Sequence, residues 1–270
     1  MTWTPPETRE LSHDARVLRY CVYGRPDGTP VVSLHGTPGT RWERPDVVAA
    51  IDDSGLRVLI PGRPGYGSTR HRGRSVADIA DDVRRLADAE GWARFAVTGF
   101  SGGAPHALAC AALLPDRVTR CSTVAGIGPL DELHLDWAAD ARRGEQYLRI
   151  HLARRATELL ARLDGRPGAE SGGSRPDDNG RRRRLHASLV DGLDGWIDDY
   201  LALVRPWGFD VGAIQVPVSV WYGSDDTNST LDHTNWLLTH IPGAVPRRYP
   251  GDHDPPDAVQ RAIFAELSAA

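Results

Sequence analysis

Five residues, Gly99-Phe100-Ser101-Gly102-Gly103, constrain the fold of this chain more than any others. They follow the apolar run Phe95-Ala96-Val97-Thr98 and precede a small, apolar stretch from Ala104 to Leu114, which Pro115 stops. A strand that turns this sharply into a helix needs neighbours without side chains, and the residue at the apex is forced into a strained backbone. The serine hydroxyl is then presented at a helix N-terminus, where backbone N–H groups favour negative charge. A phosphate-cradling glycine loop is the competing reading. It lacks a second glycine signature and a Walker-type lysine; indeed all 32 basic residues are arginine.

The rest of the chain fits a strand–turn–helix of this kind. Arg16–Tyr23, Pro30–His35, Arg57–Ile60, Phe95–Gly99, Val118–Val124, Val218–Tyr222 and Val245–Tyr249 are short apolar runs bounded by Gly, Pro or Asp. Near-continuous apolar strands suit a parallel sheet covered on both faces. Helical spacing lies between them. Ser75–Glu90 puts Val76, Ile79, Ala80, Val83, Leu86 and Ala87 on one face behind a capping-box variant, and Pro255–Leu267 does the same with Val259, Ala262, Ile263 and Leu267. The expectation is an α/β protein with a mostly parallel central sheet flanked by helices.

One stretch breaks the rhythm. Residues 128–206 carry helical patterns at Leu130–Arg143, Gln146–Leu163 and Leu185–Val204, with no strand. Asp164–Pro176 is too rich in Gly, Ser and Pro to pack and predicts a mobile loop. Arg181–Arg184 reads as a solvated run opening a helix, with an anion site as the sharper alternative. The segment is expected to be a helical cap or lid inserted into a core formed by 1–127 and 207–270.

Composition closes off several function classes. A formal net charge of −4 gives no basic surplus for nucleic acid or anionic membrane. The absence of lysine excludes a lysine Schiff base or lysine general base. Cys21, Cys110 and Cys121 are odd in number and unpaired in spacing, so they read as buried free thiols and not as a disulfide framework or zinc site. The N-terminus has no charged start followed by an apolar stretch, and no run approaches the ~20 apolar residues of a membrane span. A cytoplasmic protein without metal or cofactor is expected, its partner a small molecule; a closed homodimer is compatible with these features.

A serine hydroxyl needs a base oriented by a third group. Of ten histidines, His253 follows the last apolar run in the loop Pro250-Gly251-Asp252-His253, at the edge of the sheet where ligands gather. The acid belongs one strand earlier, at Asp225 or Asp226. His35-Gly36-Thr37-Pro38-Gly39 also follows a strand, and a tight turn there can aim the Thr37 N–H at the same space as that of Gly102. Two such donors form an oxyanion hole. His35 itself reads as a support for the turn.

With these motifs in place, the chain resembles the α/β-hydrolase superfamily, in the serine branch with an H-G-x-P-G oxyanion loop and a helical cap. Arg63-Pro64-Gly65-Tyr66-Gly67-Ser68 matches a loop these proteins carry after a strand. The resemblance implies Ser101 as nucleophile, His253 as base and, from the family's spacing, Asp226 as acid. Asp252 stands where the family has Gly, and Gly62 where it often has Asp. Ser101 argues against the dehalogenases and epoxide hydrolases of this fold, which place Asp there. The implied activity is hydrolysis of an ester or related carbonyl bond. Acyl-transfer, lyase or cyclase chemistry is the first alternative. A proline iminopeptidase-like enzyme, holding a substrate amine with Asp131, Glu132, Asp136, Asp140, Asp198 or Asp199, is another, and a binding protein that reuses the pocket is the last. Phe100 in the turn, Trp42 near the oxyanion loop and Trp137, Trp196 and Trp207 in or beside the cap are candidates for an apolar substrate wall, with core packing as their other reading.

Overall fold

The structure, a computed structural model, describes residues 6–130, 133, 136–163 and 178–269, without the side chains of 136, 137, 178, 179 and 181. The expected loop Asp164–Pro176, the cap acids Asp131 and Glu132, and the side chains of Asp136 and Trp137 therefore lie outside the described residues.

In chain order the elements are β1 (Arg9–His13), β2 (Arg16–Gly24), β3 (Thr29–Leu34), α1 (Pro45–Ser54), β4 (Leu56–Pro61), α2 (Ile79–Ala89), β5 (Phe95–Phe100), α3 (Ala104–Leu113) and β6 (Val118–Val124). Helices α4 (Asp136–Arg142), α5 (Glu145–Leu163), α6 (Asp178–Ser188) and α7 (Asp194–Leu203) follow. The chain then returns through β7 (Val218–Gly223), α8 (Leu231–His240), β8 (Val245–Tyr249) and α9 (Asp257–Ser268). Among the described residues the strands form one sheet in the order β1-β2-β4-β3-β5-β6-β7-β8. The β1–β2 and β2–β4 pairs are antiparallel and every other pair is parallel.

The inner apolar runs become strands because both faces are covered, whereas the run at β8, on the sheet edge, buries only Tyr249. Successive residues sort to opposite sides: Val32, Leu59 and Val97 pack with α2, α3 and α8, while Val31, Val58 and Ala96 pack with α1 and α9. All six residues expected on the buried face of the 75–90 helix are buried. Its regular turns begin only at Ile79, and the expected cap is found one turn earlier as a Ser75 N–H to Asp78 Oδ2 bond of 2.7 Å.

Two expectations need correcting. The 185–204 pattern is two helices and not one, because Gly192 adopts φ +79°, a left-handed conformation that stops a helix. Asp191 beside it accepts the Gly67 N–H at 2.7 Å and so anchors the break to the core. Helices α4–α7 also hold their own small apolar cluster, in which Leu148, Leu152, Trp196 and Ile197 close around Tyr66 from the loop after β4. Trp196 is 1% exposed there; Trp207 lies in the main core, stacked on Phe209 and edge-on to Trp236. Both indoles are packing groups, not an open substrate wall, because the burial available to them is inside the two cores.

Parallel strands place their C-terminal ends on one edge. Leu34 is in register with Gly99, Phe100 with Val124, Val124 with Trp221 and Gly223 with Tyr249. The loops after β3, β5, β7 and β8 therefore converge, and these loops carry Thr37, Ser101, Asp226 and His253.

Candidate active site

Ser101 leaves β5 at φ +50°, and a 3₁₀ turn over Ser101–Gly103 carries the chain into α3. A non-glycine residue held there costs about 1–3 kcal/mol of strain. Close packing keeps it in place. A methyl group on Gly103 would collide with the Leu34 carbonyl oxygen, and one on Gly99 with the Gly103 carbonyl oxygen. One on Gly102 would lie 2.5 Å from Thr37 Oγ1 and 3.5 Å from Thr37 N. The structure thus brings the two expected oxyanion donors, Thr37 and Gly102, against each other.

The β8 loop brings His253 to the same edge. Its ring lies 5.0 Å from that of Phe100, centroid to centroid, tilted by 53°. His253 Nδ1 is 2.8 Å from Asp226 Oδ2, and the Asp226 side chain is 1% exposed. Asp226 Oδ1 accepts the backbone N–H groups of Asn228 and Ser229 at 2.8 and 2.9 Å, which fixes the carboxylate. Asp225 is exposed, and among the described residues its engagement is by the backbone, with Gly251 O. The geometry therefore separates the two candidate acids. The loop bearing His253 is held by Ser224 N–H to Tyr249 O at 2.9 Å and by Tyr249 Oη to His253 O at 3.4 Å. Trp42, the remaining expected wall residue, is half-buried beneath the Arg41 guanidinium, 4.4 Å from its ring centroid.

Behind the Thr37–Gly102 contact lies a buried ionic cluster that sequence reasoning did not assemble. Asp199 of α7 accepts from Arg63, from Arg74, from Thr37 Oγ1 at 2.6 Å and from Tyr66 Oη at 3.0 Å. Arg63 also donates to the His35 and Gly36 carbonyls. Two histidines complete it. His106 Nε2 sits 3.5 Å from Arg74 Nη1, a group that can only donate, so Nδ1 carries the proton and donates to Gly102 O at 2.9 Å. By the same reasoning His35 accepts the Arg63 N–H at Nε2 and donates from Nδ1 to Gly36 O at 2.8 Å. Burial alone would push the Asp199 carboxyl up, but the two guanidinium groups overcome it and hold the carboxyl well below the usual range. Burial, helped by the nearby guanidinium charges, pushes His106 down to about 3 and His35 well below its ordinary value. Two cations then face one carboxylate, with both imidazoles neutral. The sequence signals were present but weak: Arg63 within the R-P-G loop and Asp199 among the cap acids.

Of the other acids named for a substrate amine, Asp198 pairs bidentately with Arg70 at 2.6 and 2.7 Å, and Asp140 lies 3.5 Å from His151. Of the arginine run, Arg184 pairs with Glu43 at 2.6 Å. Among the described residues no three His, Cys, Asp or Glu side chains converge to hold a metal ion, and no helix is long and apolar enough to cross a membrane.

A serine at a strained strand-to-helix apex, on a parallel sheet edge with a paired histidine and carboxylate, is the arrangement of the α/β-hydrolase fold. The chain belongs to that family: the alpha/beta hydrolase fold model matches residues 29–254. Among curated relatives it is 31% identical over 109 residues to an uncharacterised hydrolase of Bacillus subtilis, covering 40% of this chain and 37% of that one. It is 32% identical over 149 residues to a proline iminopeptidase of Xylella fastidiosa, covering 49% and 45%. The chain thus spans less than half the length of these relatives. A thermophilic esterase from Thermogutta terrifontis shares the fold at TM-score 0.73 and 22% identity, with 97% of this chain and 98% of that chain covered.

Proposed function

We propose that this chain is a serine hydrolase that cleaves an ester, or a related carbonyl bond, of a small apolar molecule through an acyl-enzyme. The observation that carries the reading is the 2.8 Å His253–Asp226 contact on the edge where Ser101 is held at φ +50°. Asp226 keeps the His253 proton on Nδ1, leaving Nε2 free as a base. Ser101 Oγ attacks the carbonyl carbon and gives its proton to Nε2. The oxyanion is held by the N–H groups of Thr37 and Gly102, each worth about 100- to 1000-fold in rate. Collapse expels the alcohol, which takes the proton from His253. Water, deprotonated by the same nitrogen, then attacks the acyl carbon and releases the acid. Helices α4–α7, within 128–206, serve as the cap over the site, and Phe100 lies on the substrate side of the elbow.

The iminopeptidase reading has named relatives behind it, but it needs a free carboxylate for the substrate amine. Asp198 and Asp199 are already committed to Arg70, Arg63 and Arg74. Turnover of p-nitrophenyl esters of increasing acyl length, compared with proline p-nitroanilide, tests the choice. Ester hydrolysis that vanishes in Ser101→Ala is expected. Proline anilide turnover with inert esters would overturn the reading. Hydrolysis in competing alcohol or amine acceptors separates it from acyl transfer, for which transfer products would dominate.

A further inference from the structure

We propose that Asp199, carried on α7 of the cap, is a positioning residue that sets both oxyanion donors through Thr37 and the Arg63/Arg74 pair. The inference rests on the serine hydrolase reading and adds to it a link from cap to chemistry. The contacts run in two directions. Thr37 Oγ1 is gripped from both sides, donating to Asp199 Oδ2 at 2.6 Å and lying 2.9 Å from Arg63 Nη2. Its backbone N–H direction is thereby tied to α7. On the other side Asp199 Oδ1 holds Arg74, whose Nη1 faces His106, whose Nδ1–H holds the Gly102 carbonyl at 2.9 Å. One carboxylate, fully buried, thus steadies the two peptide segments whose N–H groups must meet a single oxygen.

The electrostatics favour the same role. Asp199 holds the charge of two buried guanidinium groups behind the donors. That charge favours an oxyanion without touching it, since Arg63 is 0% exposed and cannot reach a substrate. Withdrawal of α7 would leave two buried cations unpaired, which is strongly disfavoured. Helix α7 is therefore a fixed strut of the site.

Thr37→Val tests this because it puts a methyl group in place of the hydroxyl and leaves both charges of the Arg63–Asp199 pair present. Loss of aim, short of loss of a donor, should lower kcat by about 10- to 100-fold, with KM within about twofold. Binding of a trifluoromethyl ketone, which forms a tetrahedral adduct on the serine, should weaken in step with kcat. Thr37→Ser keeps the hydroxyl and should restore both. Asp199→Asn should follow Thr37→Val where it folds, and if it does not fold the Thr37 pair decides. Wild-type kcat in Thr37→Val, or a rise in KM alone, overturns the proposal. An absence of Ser101-dependent turnover in the unmodified protein would instead overturn the serine hydrolase reading beneath it.

Discussion

Replacing Asp226 by Asn tests how the histidine is oriented, and its outcome can be worked out from the hydrogen bonds. Oδ1 of Asp226 accepts two backbone N–H groups, and Oδ2 faces His253 Nδ1. An amide cannot reproduce both. If its NH₂ took the Oδ1 place it would meet two donors, leaving buried groups unpaired at about 1–3 kcal/mol each. The NH₂ will therefore face His253 and donate to Nδ1. The imidazole must then carry its proton on Nε2, toward Ser101, and it can no longer act as a base. A wrong tautomer of this kind costs about 10⁴-fold in kcat, equivalent to about 5–6 kcal/mol of barrier. Fold stability should change by no more than about 1 kcal/mol, since one hydrogen bond is exchanged for another. Steady-state hydrolysis of p-nitrophenyl butyrate, with thermal unfolding alongside, measures both. A well-folded Asp226→Asn protein losing less than tenfold in kcat would refute the tautomer argument. Asp225→Asn, at an exposed side chain, should stay within twofold of the unmodified protein.

Further outcomes follow from packing and burial. Gly103→Ala drives a methyl group into the Leu34 carbonyl, so it should destabilise the fold by about 1–3 kcal/mol and displace Ser101, read as a lower unfolding temperature with loss of ester turnover. His35 and His106 are neutral when folded but titrate near 6.5 when unfolded. The unfolded state therefore binds more protons below that pH, and stability falls as pH drops from about 7.5 toward 3. At pH 5 His106 costs about 2 kcal/mol and His35 acts in the same direction, so urea unfolding should show a loss of at least about 2 kcal/mol relative to pH 8. His106→Gln should remove the His106 share. Asp199 acts in the same sense, its contribution present above about pH 4 and lost as pH falls through its depressed folded value. All three cysteines are buried, and burial pushes the Cys110 and Cys121 thiols up, so a thiol reagent should modify none of them until the chain unfolds.

Much of the fold is legible because its strands are covered on both faces and so appear as continuous apolar runs. Strands β1 and β8, at the two edges of the sheet, are the exceptions, and in β8 only Tyr249 is buried. In β1, Arg-Glu-Leu-Ser-His has one apolar residue and lies exposed at the antiparallel edge, so nothing in it demands burial. The break between α6 and α7 hinges on a single glycine within a helical pattern, a signal that periodicity averages away. At the candidate site, Ser101 and His253 could be found from local features, a glycine-rich apex and a loop after the last strand. The acid could be narrowed only to Asp225 or Asp226 until family spacing entered. The Asp199 cluster was out of reach for a different reason. Its partners Thr37, Arg63, Tyr66 and Arg74 stand 125 to 162 residues away along the chain, and only the folded chain brings them to one carboxylate. The tryptophans mislead in the opposite way: their size suggests a substrate wall, but Trp196 and Trp207 use that size to fill cores.

The central claim is that Ser101 is an activated nucleophile, and intact-protein mass after exposure to a fluorophosphonate tests it most directly. A single adduct on the unmodified protein, absent from both Ser101→Ala and His253→Ala, is the predicted result. No adduct on the folded, unmodified protein, or an adduct that persists in Ser101→Ala, would contradict the account.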